Sequence, residues 1–233
     1  MKGLWALAAV SLVAAAPATV EAQFFTENFD SYVAGSTIAG QGGWETWDNN
    51  PAANTTVSNT QSFSSPNSLL VAGPADIVHQ FAGVNSGIWY IRTRTFTPST
   101  QSGEAWFILL NQYAPAGLQN WSVQVVQCVT ACTTAGATPG QVVNLGGSGT
   151  PGVGVMPMVS NQWVDIRVEV NFGTGMYSVF YNELLLDTQP WQVSGANQLA
   201  AIDLFSNLST ESYMDNVWVD TTVPVELQTF QVE

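Results

Sequence analysis

The sequence predicts an all-β protein, a two-sheet antiparallel jelly-roll β-sandwich. Apolar and polar residues alternate with period two along most of the 233 residues. Turn residues recur between the alternating segments, and no stretch of ten residues beyond the N-terminal segment has helical periodicity. With 46% hydrophobic and 11% aromatic residues, the chain has ample material for a core, which excludes intrinsic disorder.

Residues 1–22 read as a signal peptide. Lys2 gives a positive start, Leu4 to Ala16 is an uncharged apolar run, and Val20-Glu21-Ala22 places small residues at the positions before a cleavage site. The mature chain is expected to start at Gln23 and to be exported. The apolar run is too short for a membrane span, and no later segment suggests membrane insertion. Strands are expected over Gln23–Asp30, Ser68–Ala72, Ile77–Phe81, Ile88–Phe96, Ala105–Leu110, Asn120–Val125, Gln141–Leu145, Trp163–Val170, Met176–Tyr181, Glu183–Asp187, Ala200–Phe205, Tyr213–Asp220 and Val225–Val232. Between them lie Gly-Gln-Gly-Gly at 40–43, Asn-Asn-Pro at 49–51, Ser-Pro-Asn at 65–67 and Gly-Thr-Gly at 173–175, with long loops at 48–67 and 132–159. One domain over 23–221 and a strand-like tail over 222–233 follow.

Individual strands carry face information. Val164, Ile166, Val168 and Val170 point inward, with Trp163, Asp165, Arg167 and Glu169 on a solvated face. Trp89, Ile91, Thr93 and Thr95 are free of charge and read as an inner face, which puts Tyr90, Arg92, Arg94 and Phe96 outside. Ala105–Leu110 is apolar on both faces, as in a central, doubly covered strand. His79, the only His, shares a face with Ile77 and Phe81 and reads as core, as do Trp89, Trp106 and Trp121. Cys128 and Cys132 fit a short local disulfide in an exported protein.

Four Lys+Arg stand against 17 Asp+Glu, a formal charge of −13. Such a chain neutralises neither a phosphate backbone nor an anionic membrane, so nucleic acid is not an expected partner.

Several segments together resemble exported bacterial domains of the concanavalin A-like lectin/glucanase superfamily. They are Glu-Asn-Phe-Asp-Ser-Tyr (27–32), Gly-Gln-Gly-Gly-Trp-Glu-Thr-Trp-Asp-Asn (40–49), Trp-Phe-Ile-Leu-Leu-Asn-Gln-Tyr (106–113), Asn-Gln-Trp-Val-Asp-Ile-Arg-Val-Glu-Val (161–170) and Tyr-Met-Asp-Asn-Val-Trp-Val (213–219). The resemblance spans roughly residues 24–220. It implies that the first and last strands lie side by side and that the function is glycan binding, in some members with hydrolysis or elimination. It also implies a structural Ca²⁺ where Glu27 or Asp30 approaches Asp215.

The residues offer three kinds of chemistry. For carbohydrate binding, aromatic rings stack on the apolar faces of sugars while amides, carboxylates and guanidinium groups bond the hydroxyls. Trp44, Trp47 and Asp48 sit in the Gly-rich loop, and Tyr90, Arg92, Arg94 and Gln124 form a candidate groove. For elimination, Tyr90 is a candidate base, with Arg92 or Arg94 to neutralise a uronate. For hydrolysis, the Glu-x-Asp-x-x-Glu pattern of hydrolytic relatives is absent, and Asp165/Glu169 with Arg167 reads as a charge-compensated face. Non-catalytic glycan binding is the function expected. A polysaccharide-degrading enzyme, lyase before hydrolase, and a secreted matrix protein are the alternatives.

Overall fold

A computed structural model describes residues 24–147 and 154–221. The signal segment 1–22, the start at Gln23 and the tail 222–233 with its expected strand 225–232 lie outside the described residues. Fifteen strands are present among them: β1 (Phe25–Glu27), β2 (Trp44–Thr46), β3 (Val57–Ser58), β4 (Ser68–Leu70), β5 (Asp76–Gln80), β6 (Ile88–Phe96), β7 (Glu104–Gln112), β8 (Asn120–Cys128), β9 (Gln141–Asn144), β10 (Gly154–Pro157), β11 (Trp163–Asn171), β12 (Met176–Tyr181), β13 (Leu184–Pro190), β14 (Ala201–Asn207) and β15 (Tyr213–Asp220). The short strands β2, β3 and β10 fall inside segments read as turns or loops, because two to four residues are too few to show alternation.

The strands form two antiparallel sheets. One has eight strands in the order β13-β12-β11-β6-β15-β4-β3, with β1 on β15; the other runs β10-β9-β8-β7-β14-β5-β2. First and last strands do pair, with Phe25 opposite Val219 and Glu27 opposite Val217. The two inner faces meet in one apolar core. From the eight-stranded sheet come Trp89, Ile91, Val164, Ile166, Val168 and Val170; from the other come Trp44, Ile77, Phe107, Leu109, Val123 and Leu204. Thr93 and Thr95 are fully buried among them, so the inward assignment of that face of β6 holds.

A second apolar cluster covers the opposite face of the seven-stranded sheet. Val78, Trp106, Ile108, Leu110, Val126 and Val143 make it, with Trp47, Trp121 and Phe205 partly buried at its border. β7 therefore has apolar neighbours on both faces and is buried from Glu104 to Asn111, as its sequence predicts. The Cys128–Cys132 disulfide forms, with Cα atoms 5.8 Å apart, and fastens the loop that leaves β8.

Candidate functional site

The Gly-rich segment 40–43 is built for packing. Gly42 and Gly43 have φ of +55° and +82°, and a β-carbon there would meet the Tyr32 hydroxyl and the His79 ring. Next to it, Trp44 is fully buried. Its ring lies 5.9 Å from Phe29 and 5.3 Å from His79. Trp44 is therefore a core residue and not a ligand platform, because it starts β2 on the inner face, paired with His79 of β5. His79 packs 4.1 Å from Phe25 and 4.8 Å from Phe81, in the core region assigned to it, and burial lowers its pKa.

Trp47 points the other way. It opens a 3-10 turn, Trp47–Asn49, in which Asp48 has φ of 51°. Asp48 clamps this turn to the loop after β7. Its Oδ1 accepts from Ala116 N at 2.7 Å and from Gln119 Nε2 at 2.9 Å, and its own N–H donates to the Tyr113 hydroxyl at 3.1 Å. Asp48 thus positions Trp47 rather than facing a ligand. The Trp47 ring stacks near Trp121 at 6.2 Å and 17°, and lies 4.9 Å from Tyr113.

Trp121 reaches this face through a break in register. Leu109 pairs with Val123, but Leu110 pairs with Trp121, so Ser122 is an extra, bulged residue on β8. The bulge turns Trp121 away from Val123 and Val125 and onto the face of Gln124. Strict alternation places it in the core, and the structure corrects that. Trp106 also belongs to this outer face, opposite Phe205 of β14, with ring centroids 6.0 Å apart.

These residues line an open groove of about 440 Å³ across β5, β14, β7 and β8. Trp47, Trp121, Trp106 and Phe205 supply rings; Gln124, Thr134, Asn207, Asp76 and Asp203 supply polar groups. Glu104 holds one rim in place. It accepts from Thr134 N at 2.7 Å, Thr134 Oγ1 at 2.8 Å and Asn207 Nδ2 at 2.8 Å. Burial raises its pKa, and these donors more than offset that, leaving the carboxyl below its ordinary value. Gln124 donates to the Gly146 carbonyl at 2.6 Å.

On the floor, Asp203 is 3% exposed and Asp76 half-buried. They are diagonal neighbours, since Asp203 pairs with Val78, two residues from Asp76. Burial drives the Asp76 carboxyl up to about 6; its hydrogen bond with Asp203 pulls down and the Asp48 charge pushes up. Burial, then the Asp76 charge and the shared hydrogen bond, hold Asp203 well above the usual carboxylate range. One oxygen of each, and the Trp106 indole N–H, have no protein partner. Neither aspartate stands out in the sequence, where each is a single acid in a short strand.

The groove expected over β6 does not assemble. Gln124 lies on the seven-stranded sheet and Arg92 on the other, so they do not share a surface. Arg92 makes a bidentate pair with Asp165 at 2.9 Å through both nitrogens. Arg94 contacts the same carboxylate at 3.2 Å and lies 3.6 Å over the Phe63 ring. Both arginines border a depression of about 400 Å³ that also holds Glu27, Asn28 and Trp218, whereas Tyr90 lines a separate hollow of about 190 Å³ with Glu169 and Met176. Tyr90 and Arg92 do share the outer face of β6, but Arg92 and Arg94 are both committed to Asp165. Arg167 pairs with Glu169 and Glu183, so this face is the compensated one the sequence suggests.

The carboxylates expected to hold calcium are each engaged by protein donors. Glu27 accepts from Phe29 N at 2.7 Å and from the Tyr32 hydroxyl. Asp30 accepts from Asn67 N at 2.9 Å and Asn28 Nδ2 at 2.8 Å. Asp215 accepts from the N–H groups of Phe63, Ser64 and Asn216 at 2.7–3.0 Å. Among the described residues no three His, Cys, Asp or Glu side chains form a metal-ligand cluster, so the expectation on Glu27, Asp30 and Asp215 has no assembled site there.

A scan against protein-family models finds no match, and neither does a search of curated protein sequences. Solved structures are similar in fold. A sialidase superposes with a TM-score of 0.56 at 11% identity, over 87% of this chain but 19% of its own length. The Emp47p carbohydrate recognition domain gives 0.51 at 8% identity, over 90% of this chain and 100% of that one. An endo-β-1,4-glucuronan lyase from Trichoderma reesei gives 0.50 at 9% identity, over 85% and 95%. At these identities the likeness establishes architecture alone: the chain has a two-sheet antiparallel jelly-roll β-sandwich fold.

Proposed function

We propose that this protein binds glycan, without cleaving it, in the groove on the outer face of the seven-stranded sheet. The observation that carries the reading is the paired Trp47 and Trp121 rings beside a polar floor, the combination that sugar recognition needs. The recognition domain named among the structural neighbours has the same architecture. The groove-lining residues described include no Lys or Arg to neutralise a uronate, which counts against elimination there. Export rests on the N-terminal segment, and N-terminal sequencing of secreted material should begin at Gln23.

Titration calorimetry with hexasaccharides of glucose, mannose, xylose and N-acetylglucosamine tests the binding. Trp47→Ala and Trp121→Ala are expected to weaken it about tenfold or more with unchanged far-UV spectra. Reducing-end or unsaturated products from any of these, or from polyuronides, would overturn the non-catalytic reading.

A further inference from the structure

We propose that Asp76 and Asp203 share one proton and act as a single hydrogen-bonding plate on the groove floor, so that the groove takes neutral sugars and holds them more tightly near neutral pH than under acid conditions. This rests on the glycan-binding reading above.

The geometry carries it first. The two carboxyls are diagonal neighbours on the groove face of the β5–β14 pair, and two carboxylates held there would offer acceptors only, so a proton between them is what lets them sit together. Each keeps a second oxygen without a protein partner. The Trp106 indole N–H beside them is also unpartnered, on a residue only 6% exposed that lines the groove. Two acceptors and a donor without protein partners set a pattern that an external group can complement. Adjacent hydroxyls of a pyranose both donate and accept, and so match it.

The surroundings favour keeping the proton. The groups facing the pair are Asp48 from the 3-10 turn, Glu45 from β2, Glu104 from β7 and Tyr113 from the loop after β7. All are acidic or neutral. Arg92, Arg94 and Arg167 lie on the outer face of the other sheet, and His79 is on the inner face of β5. With no described cation nearby, both burial and like charge resist a second ionisation. The same field repels an anionic sugar.

Only the singly protonated pair makes the plate, so apparent affinity follows its population. With the Asp76 carboxyl at about 6 and that of Asp203 held higher, acid protonates both, so neutral hexasaccharide should bind about tenfold more weakly at pH 5 than at pH 7, and alike at pH 7 and pH 8. The test is calorimetry across that pH range with the hexasaccharide that binds best, beside a glucuronate hexamer. Asp203→Asn, and independently Asp76→Asn, should flatten the ratio of affinities between pH 5 and pH 8 to within about twofold, whatever each does to absolute affinity. Affinity independent of pH in the parent protein, while Trp121→Ala still abolishes binding, overturns the shared proton and leaves the groove standing. Unaltered binding in Trp47→Ala and Trp121→Ala overturns the groove itself. A glucuronate hexamer that binds more tightly than every neutral one overturns the choice of ligand.

Discussion

Two tryptophans three residues apart show how much a single side chain's surroundings decide. Trp44 and Trp47 occupy the same loop motif, yet one is sealed between Phe29 and His79 and the other borders an open groove. Truncating Trp44 leaves a large cavity in the core, so Trp44→Ala should cost about 3–5 kcal/mol in chemical denaturation. Trp47→Ala should cost far less stability and act on affinity. A stability loss in Trp47→Ala equal to that in Trp44→Ala would show that Trp47 is core as well. Arg92 makes a third case. Its bidentate pair with a nearly buried Asp165 predicts that Arg92→Ala destabilises by about 1–3 kcal/mol while leaving glycan affinity unchanged, measured by denaturation and calorimetry together.

At the scale of elements, one bulge turns Trp121 towards the site. Were Ser122 paired in register, β8 would present Trp121 beside Val123 and Val125, and the groove would lose half of its aromatic pair. Deleting Ser122 would heal the bulge and leave Trp121 opposite Leu110 on the groove face, so binding is expected to be retained. Ser122→Gly, which keeps the bulge, should retain binding; loss in both to the same degree would show that the hydroxyl matters and not the register. This is also where reading from sequence ends. β6 and β12 were legible to the residue because their alternation is unbroken, and the inner faces of β6 and β11 followed from the same alternation. A bulge shifts the period by one and leaves no mark in composition. Which sheet a strand joins is likewise silent in local pattern, so Gln124 was grouped with Arg92, although they lie on different sheets. Asp76 and Asp203 are 127 positions apart and meet only through the pairing of β5 with β14.

Taken over the whole molecule, buried acids should make this protein most stable on the acid side of neutrality. Burial raises the carboxyls of Asp76 and Asp215 to about 6 and moves those of Asp203 and Asp165 upward. Between pH 4 and pH 6 the unfolded chain releases protons that the folded chain still holds, so stability falls as pH rises through this window. Two groups oppose the trend. Glu104 is held below its ordinary value, so its contribution is lost at the acid end. His79 is also lowered, so its contribution weakens below about pH 6.5. One histidine and one glutamate are outweighed by four aspartates, and the formal charge of −13 adds repulsion that eases towards acid. Thermal unfolding should therefore show Tm highest near pH 4 and lower by several degrees at pH 8. Asp215 alone accounts for on the order of 1–3 kcal/mol of the decline. Asp215→Asn should be less stable overall, because the carboxylate anchors three backbone N–H groups, and yet show a shallower fall between pH 5 and pH 8. A Tm that climbs from pH 5 to pH 8 would mean that these acids are ionised in the folded protein, and with that the shared proton on the groove floor would go too.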